Sequence, residues 1–272
     1  MHMRKIRLDL LLVERGLAES RSLAQRLVMA GQVRVDGEMA LKAATNVPSD
    51  VHLEVEHGPR FVSRGGEKLD AALQAFNVDV RGRICADVGA STGGFTDCLL
   101  QHSADKVYAI DVGQGILDWK LRQDARVVVV EKTNARYLKA LPEPVEIITI
   151  DVSFISLKVL LPVVKNWFFT QSDNGQSLKG SIIALIKPQF EAGRQQVGRN
   201  KGVIRDPLIH RQVLLDVLDY AQKLGYIVRG LIRSPLIGPK GNVEFLTWLE
   251  CSGDQIASIE ELADLIVTNA SG

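Results

Sequence analysis

Cysteine is scarce in this chain, and Cys85, Cys98 and Cys251 include no C-x-x-C pair. That excludes a disulfide framework, gives no zinc signature, so that no metal is expected, and suits a reducing cytoplasm. Long apolar runs are missing too. Charges interrupt every hydrophobic stretch well before the about 18 residues that a membrane-spanning helix needs, and the opening MHMRKIRLDLLL is too short for a secretory signal. Net charge is almost absent: 33 basic and 32 acidic side chains leave +1, so affinity for a polyanion must come from local clusters. There is no internal repeat and no low-complexity segment. What remains is 272 residues of ordinary composition, enough for one to two domains with a proper core.

Residues 1–60 read as a small unit of their own. Leu8 to Val13 and Leu23 to Met29 have helical patterning, the first stopped by Gly16, the second opened by Ser20 as N-cap and closed by Gly31. Short strands follow at Val33 to Val35 and Val51 to Val55, with Asp36-Gly37 as a turn. Charge is polarised along this unit. Residues 1–35 carry seven basic against three acidic side chains, and residues 36–60 carry two against five. Such a bias by itself fits a solvated face equally well. The stretch RLDLLLVERGLAESRSLAQRLVMAGQVRVDG, however, resembles the helix-helix-strand RNA-binding module of a small-subunit ribosomal protein, tyrosyl-tRNA synthetases and pseudouridine synthases. The resemblance implies that Arg4, Arg7, Arg21, Arg26 and Arg34 meet structured RNA. Contacts of that kind go mostly to phosphates, positioning the RNA and making binding salt-sensitive.

Residues 61–272 read as a second domain in which strands and helices alternate. Strands are expected at Ile84 to Val88, Lys106 to Ile110, Val127 to Val130, Glu146 to Ile150, Ser181 to Ile186, Ile227 to Ile232 and Phe245 to Leu249. A helix is expected from Gly66, and others at Gly94 to Gln101, Ile116 to Arg122, Ala135 to Ala140, Ile155 to Phe168, Pro207 to Leu224 and Asp254 to Thr268. Continuous apolar strands alternating with helices predict a Rossmann-like, doubly wound α/β sheet, mostly parallel and covered on both faces. Ligands then sit beyond the carboxyl ends of the strands, where the strand order reverses.

The stretch ICADVGASTGGFTDC, from Ile84 to Cys98, places a glycine-rich turn at such a strand end. Gly89, Gly93 and Gly94 are expected to let the backbone approach a nucleotide-like ligand, with the amides of the next helix facing it. Serine replaces the middle glycine of a G-x-G-x-x-G pattern, which disfavours strict dinucleotide binding. The form D-x-G-x-S-x-G, with Asp87, Ser91 and Thr92, instead resembles the first motif of S-adenosylmethionine-dependent methyltransferases. Asp111, about 20 residues on, stands where a carboxylate can accept from ribose hydroxyls, with a helix N-cap as its other reading. Asn134 follows the third strand, within reach of an adenine.

Three charged residues, Asp151, Lys187 and Glu244, fall at ends of otherwise apolar strands, and Lys68 opens the helix in S-R-G-G-E-K-L. Each alone could be a surface ion-pair partner. In the order Lys, Asp, Lys, Glu the four resemble the tetrad of FtsJ-type RNA ribose 2′-O-methyltransferases. With the basic module in front, SRGGEKLDAAL, DVGASTGGFTDCLL, DVSFISL, IKPQFEAGR and SPLIGPKGNVEF together resemble the TlyA, or hemolysin A, family. The resemblance covers essentially the whole chain. It implies S-adenosylmethionine as cofactor, with Asp151 also near the methyl donor, and a ribose 2′-hydroxyl of ribosomal RNA, a cytidine in mycobacterial members, as acceptor.

A ribose hydroxyl is a weak nucleophile, so the enzyme must align it and help remove a proton. Lys187 is the candidate for that step, because a desolvated lysine beside other cations loses its proton more readily. Lys68 would assist it, and Asp151 and Glu244 would hold the two lysines. Residues 187–205 carry five basic side chains against one acidic, so Arg194, Arg199 and Lys201, together with Arg64, are expected on RNA, unless that loop is merely solvated. Phe190 is a candidate to stack on a flipped base. Two other classes stay open: a non-catalytic RNA-binding or assembly factor, which needs no intact tetrad, and a membrane-active hemolysin, which needs an inserting segment that the sequence does not offer.

Overall fold

The computed structural model describes residues 4–56, 58–168, 180–192, 202–253 and 258–268. It forms two compact units, Met1–Arg60 and Phe61–Gly272.

In the first unit, β1 (Lys5–Arg7) leads into α1 (Leu8–Glu14) and α2 (Arg21–Met29), followed by β2 (Val33–Val35), β3 (Glu38–Met39), β4 (Asn46–Pro48) and β5 (Leu53–Val55). The Ser20 hydroxyl accepts from the Leu23 amide at 3.2 Å, capping α2 as the sequence predicts. β2 pairs antiparallel with both β3 and β5, while β1 pairs with β4. β1, β3 and β4 were not expected; with two or three residues each they are too short to show a period. The strand expected from Val51 begins at Leu53, because the Val51 amide turns back to the Pro48 carbonyl. Leu8, Leu11, Leu12, Ala24, Val28 and Val33 make the core.

The second unit opens with α3 (Gly65–Phe76). It continues through β6 (Ile84–Val88), α4 (Gly94–Gln101), β7 (Lys106–Ile110), α5 (Trp119–Arg122), β8 (Val127–Val130), β9 (Ile147–Ile150) and α6 (Leu157–Val164). β10 (Ser181–Ile186), α7 (Pro188–Glu191), α8 (Pro207–Lys223), β11 (Ile227–Arg233), β12 (Phe245–Glu250) and α9 (Ile259–Thr268) complete it. The seven strands stand in the order β11-β12-β10-β9-β6-β7-β8. β6 to β10 run parallel, and β12 is antiparallel to both its neighbours. The chain winds outward from β6 to β8, then returns to lay β9 on the other side of β6. The reversal between β6 and β9 is the switch point at which a doubly wound sheet holds its ligand.

The sheet is covered on both faces. Leu69, Leu73, Phe95 and Leu99 of α3 and α4 pack on one, and Leu157, Leu161, Leu214, Leu218 and Ala263 of α6, α8 and α9 pack on the other. Two expected helices shrink. The stretch from Ile116 becomes a single turn, because the Asp118 carboxylate accepts from the Lys120 amide and starts the helix there. The stretch from Ala135 is one 3-10 turn, Ala135–Tyr137. α6 starts two residues late, at the Ser156 cap, and ends in a 3-10 turn, Lys165–Trp167.

Candidate active site

β6 ends one residue before Gly89, whose φ of +85° places it in the left-handed region, and a Cβ there would collide with the Asp151 carbonyl oxygen. The turn therefore depends on glycine to let β6 and β9 release their chains side by side. The other two glycines also permit close packing. A Cβ on Gly93 would strike Leu117 and Leu121, and one on Gly94 would strike the Ser63 hydroxyl and the Gly66 amide at the start of α3. Of the three, Gly89 lines two clefts, Gly94 one, and Gly93 neither. Several turn amides are also already spent. Gly89 and Ala90 donate to the Ile110 carbonyl, and Ser91 donates to Asp111 Oδ2 at 2.8 Å.

Asp111 is not a helix N-cap. Its Oδ1 accepts from the Gly113 amide at 2.7 Å, so the carboxylate braces the glycine-rich turn against the end of β7 while lining the larger cleft. Asn134 lines the same cleft and caps the 3-10 turn by accepting from the Arg136 amide at 3.1 Å. Asp87 stands apart from the ligand space. Fully buried beneath the turn, it accepts from the hydroxyls of Thr96 at 2.7 Å and Thr149 at 3.1 Å. The D-x-G spacing puts its side chain inward, and it lines neither cleft described below. Burial pushes its carboxyl up to about 7, against the pull of the threonine bonds and with a further push from the charge of Asp151.

Two clefts open at the carboxyl ends of the strands. The larger, about 520 Å³, runs past Gly89, Ser91, Asp111, Asn134, Asp151 and Phe154. The smaller, about 310 Å³, holds Arg64, Lys68, Thr92, Lys187, Ile237 and Glu244. Gly89, Ser91, Asp151 and Ser153 line both, so one wall is common to the two.

The four charged residues enter this space as two ion pairs. Lys187 Nζ lies 2.5 Å from Asp151 Oδ1 and donates to the Ser153 hydroxyl at 3.3 Å. Lys68 Nζ lies 2.5 Å from Glu244 Oε2, and Glu244 Oε1 is buried without a hydrogen-bond partner among the described residues. Lys68 is delivered by the first turn of α3, Lys187 by the end of β10, Asp151 by the end of β9, and Glu244 by the residue before β12.

Other residues complete the mouth of the clefts. Phe154 is 91% exposed at a φ of +66°, a strained conformation for an aromatic residue, and its ring stands 5.0 Å from that of Phe190. Glu191 joins Ser156 and Leu157 across the same mouth. An exposed aromatic beside a strand-end carboxylate could have flagged Phe154. Asp70, Cys98 and His102 bring their ligand atoms within 4.8 Å of one another and line neither cleft. Because these side chains come from two helices, the spacing of the cysteines could not have shown the cluster.

In the N-terminal unit the fully buried Asp9 gathers cations. Arg7 reaches it at 3.0 and 2.9 Å, Arg21 at 3.0 Å, and Gln25 adds a bond at 2.9 Å. Led by the Arg7 bond, these hold the Asp9 carboxyl well below the usual carboxylate range. Arg34 pairs with Glu56, and Arg4 and Arg26 are exposed. Arg64 is exposed at the rim of the smaller cleft. Arg194, Arg199 and Lys201 lie outside the described residues.

Comparison with known proteins agrees with this geometry. Residues 61–251 match the family model of the FtsJ-like methyltransferase, and residues 6–52 match the S4 domain. The Bacillus subtilis protein YqxC is 48% identical over 258 residues, covering 92% of this chain and 88% of its own. The 16S/23S rRNA (cytidine-2′-O)-methyltransferase TlyA of Mycobacterium tuberculosis is 45% identical over 267 residues, covering 97% of this chain and 96% of its own. A solved structure from Streptococcus thermophilus, named as a hemolysin, has a TM-score of 0.72 and 41% identity and covers 99% of this chain and 96% of its own. Among the described residues no helix is long and apolar enough to cross a membrane. With one family spanning the clefts and another the arginine-bearing unit, this chain belongs to the FtsJ-like methyltransferases, in the TlyA branch that carries an S4 domain in front.

Proposed function

We propose that the chain methylates the 2′-hydroxyl of a ribose in ribosomal RNA, a cytidine as in its mycobacterial relative, with S-adenosylmethionine as donor. The observation that carries this reading is the wall shared by two clefts, with a lysine–carboxylate pair at the junction. The larger cleft suits the cofactor in size and in donor set. Asp111 offers remaining lone pairs to ribose hydroxyls, Asn134 faces the base position, and Asp151 supplies a negative charge for a cationic donor group. Bound there, S-adenosylmethionine supplies a methyl group already activated on a sulfonium sulfur.

The chain's own residues then handle the hydroxyl. Two directions of the Lys187 amine are taken by Asp151 and Ser153, leaving a third for the ribose 2′-oxygen. In its neutral form the amine takes the hydroxyl proton as the oxygen–carbon bond forms and the donor's sulfur–carbon bond breaks, and Asp151 stabilises the ammonium that results. Lys68, fixed by Glu244, adds a positive charge where the oxygen becomes anionic. Phe154, extended by Phe190, offers an apolar ring at the mouth on which the base of the target nucleotide stacks.

RNA is brought in through phosphates. Arg4, Arg7, Arg21, Arg26 and Arg34 of the S4 domain, Arg64 at the cleft rim, and Arg194, Arg199 and Lys201 supply the cations. A substrate of this kind places the protein in the cytoplasm. The test is to incubate the purified protein with tritiated S-adenosylmethionine and separated ribosomal subunits. Label mapped to a single 2′-O position supports the reading; label in neither subunit nor in free ribosomal RNA would sink it, leaving a non-catalytic RNA-binding factor.

A further inference from the structure

Two segments make the mouth of the junction, 151–156 after β9 and 187–191 after β10. They are fastened at both ends. At the inner end Lys187 binds Asp151 and Ser153. At the outer end Glu191 Oε2 accepts from the Ser156 hydroxyl at 2.5 Å, and Oε1 accepts from the Leu157 amide at 2.7 Å. Between the two fastenings lies the Phe154–Phe190 ring contact. Glu191 closes the turn Pro188–Glu191, in which the Phe190 amide donates to the Lys187 carbonyl at 2.9 Å, so a displacement of Glu191 reaches Lys187 through one short turn. Its two acceptors also sit at the amino end of α6, where backbone amides favour a negative charge.

We infer that Glu191 is a positioning residue of the methyl-transfer site, holding the Lys187 segment against the Asp151 segment so that the base and the stacking wall keep one spacing. This rests on the function proposed above. Glu191 touches neither the cofactor cleft nor the smaller one. Its burial costs the charged form, and burial is the main cause that raises its carboxyl above the ordinary value. Its two bonds join the segment after β10 to the segment after β9, and neither reaches a strand of the sheet.

Glutamine can reproduce both contacts, its oxygen accepting from the Leu157 amide and its amide group donating to the Ser156 oxygen, whereas alanine removes both. Glu191→Ala is therefore expected to lower kcat about tenfold or more, with S-adenosylmethionine affinity within about twofold of the parent, and Glu191→Gln to recover to within about threefold. Ser156→Ala combined with Glu191→Ala should lose less than the product of the two separate losses. Hydrogen–deuterium exchange of the free protein supplies a readout that does not need turnover. Exchange in 151–157 and 187–191 should rise in Glu191→Ala and return in Glu191→Gln, with β6 and β7 unchanged. Unchanged exchange in Glu191→Ala, or a Glu191→Gln as impaired as alanine, overturns the inference. If exchange responds as expected but the parent protein labels no ribosomal RNA, the proposed function fails and the fastening of the two segments stands.

Discussion

The S4 domain and the methyltransferase cleft both use carboxylates to organise cations, but the first encloses only the anion and the second encloses both partners. In the S4 domain the anion is inside: the Asp9 side chain is 0% exposed, while Arg7 and Arg21 are 38% and 52% exposed. In the cleft both partners are largely enclosed, with Lys187 at 10% and Asp151 at 22%, and Lys68 at 11% and Glu244 at 0%. Guanidinium groups facing water keep donors for phosphates, which suits a surface that positions a long polyanion. An enclosed lysine is a point charge aimed at a single atom. On the function proposed above, the difference separates holding RNA from reacting with it.

Lys187→Ala should break the cleft side most severely. Loss of a positioned general base is expected to lower kcat by about 10²- to 10⁴-fold. Calorimetric titration should find S-adenosylmethionine affinity unchanged, and transfer within tenfold of the parent would remove Lys187 from its role.

Glu244→Ala should cost stability instead, because it strands the Lys68 charge in the interior. Breaking one partner of a buried pair is expected to lower the unfolding free energy by about 3–5 kcal/mol. Denaturant titration measures this, and the double replacement Lys68→Met with Glu244→Leu should recover much of it. A double variant as unstable as the single one would show that packing, rather than the stranded charge, dominates.

On the S4 side, Asp9→Asn should loosen Arg7 and Arg21 without removing either cation. Affinity for ribosomal RNA should fall about three- to tenfold while the salt dependence of binding is kept, whereas Arg21→Ala should reduce the slope against log salt by about 0.7–0.9. If Asp9→Asn also reduces the slope, Asp9 acts on the number of phosphate contacts and not on their geometry.

Much of the sheet was legible in the chain because buried parallel strands read as continuous apolar runs; β6, β7, β8 and β10 have the bounds expected of them. Helices were overestimated where a local side-chain bond, such as that of Asp118, sets the start more firmly than periodicity does. The charged residues of the cleft could be picked out, since charge at the end of an apolar strand is conspicuous, yet their division into two pairs depends on which strands become neighbours. Glu191 and Asp9 escaped for the same reason. Glu191 bonds Ser156 and Leu157, 35 and 34 residues away, and Asp9 bonds Arg21, 12 residues away, separations that leave no periodic mark. Gly93 and Gly94 also pack closely, the first against Leu117 and Leu121 and the second against the start of α3, which the glycine pattern alone does not disclose.

Asp87 supplies a third arrangement, a buried carboxylate with two threonine hydroxyls and, among the described residues, no cation bonded to it. Its carboxyl, raised by burial to about 7 from an ordinary 3.8, binds its proton more tightly in the folded state than in the unfolded one. The stability it contributes is therefore fully present below about pH 4 and is lost as pH rises through about 7. Asn at this position cannot ionise, and it keeps an oxygen and an amide group for the two threonines. The melting temperature of the parent relative to Asp87→Asn should accordingly fall by about 2 °C or more between pH 5 and pH 8. A pH-independent difference would mean that Thr96 and Thr149 stabilise the carboxylate as well as an ion pair would, and the contrast between paired and unpaired buried carboxylates would not hold for this fold.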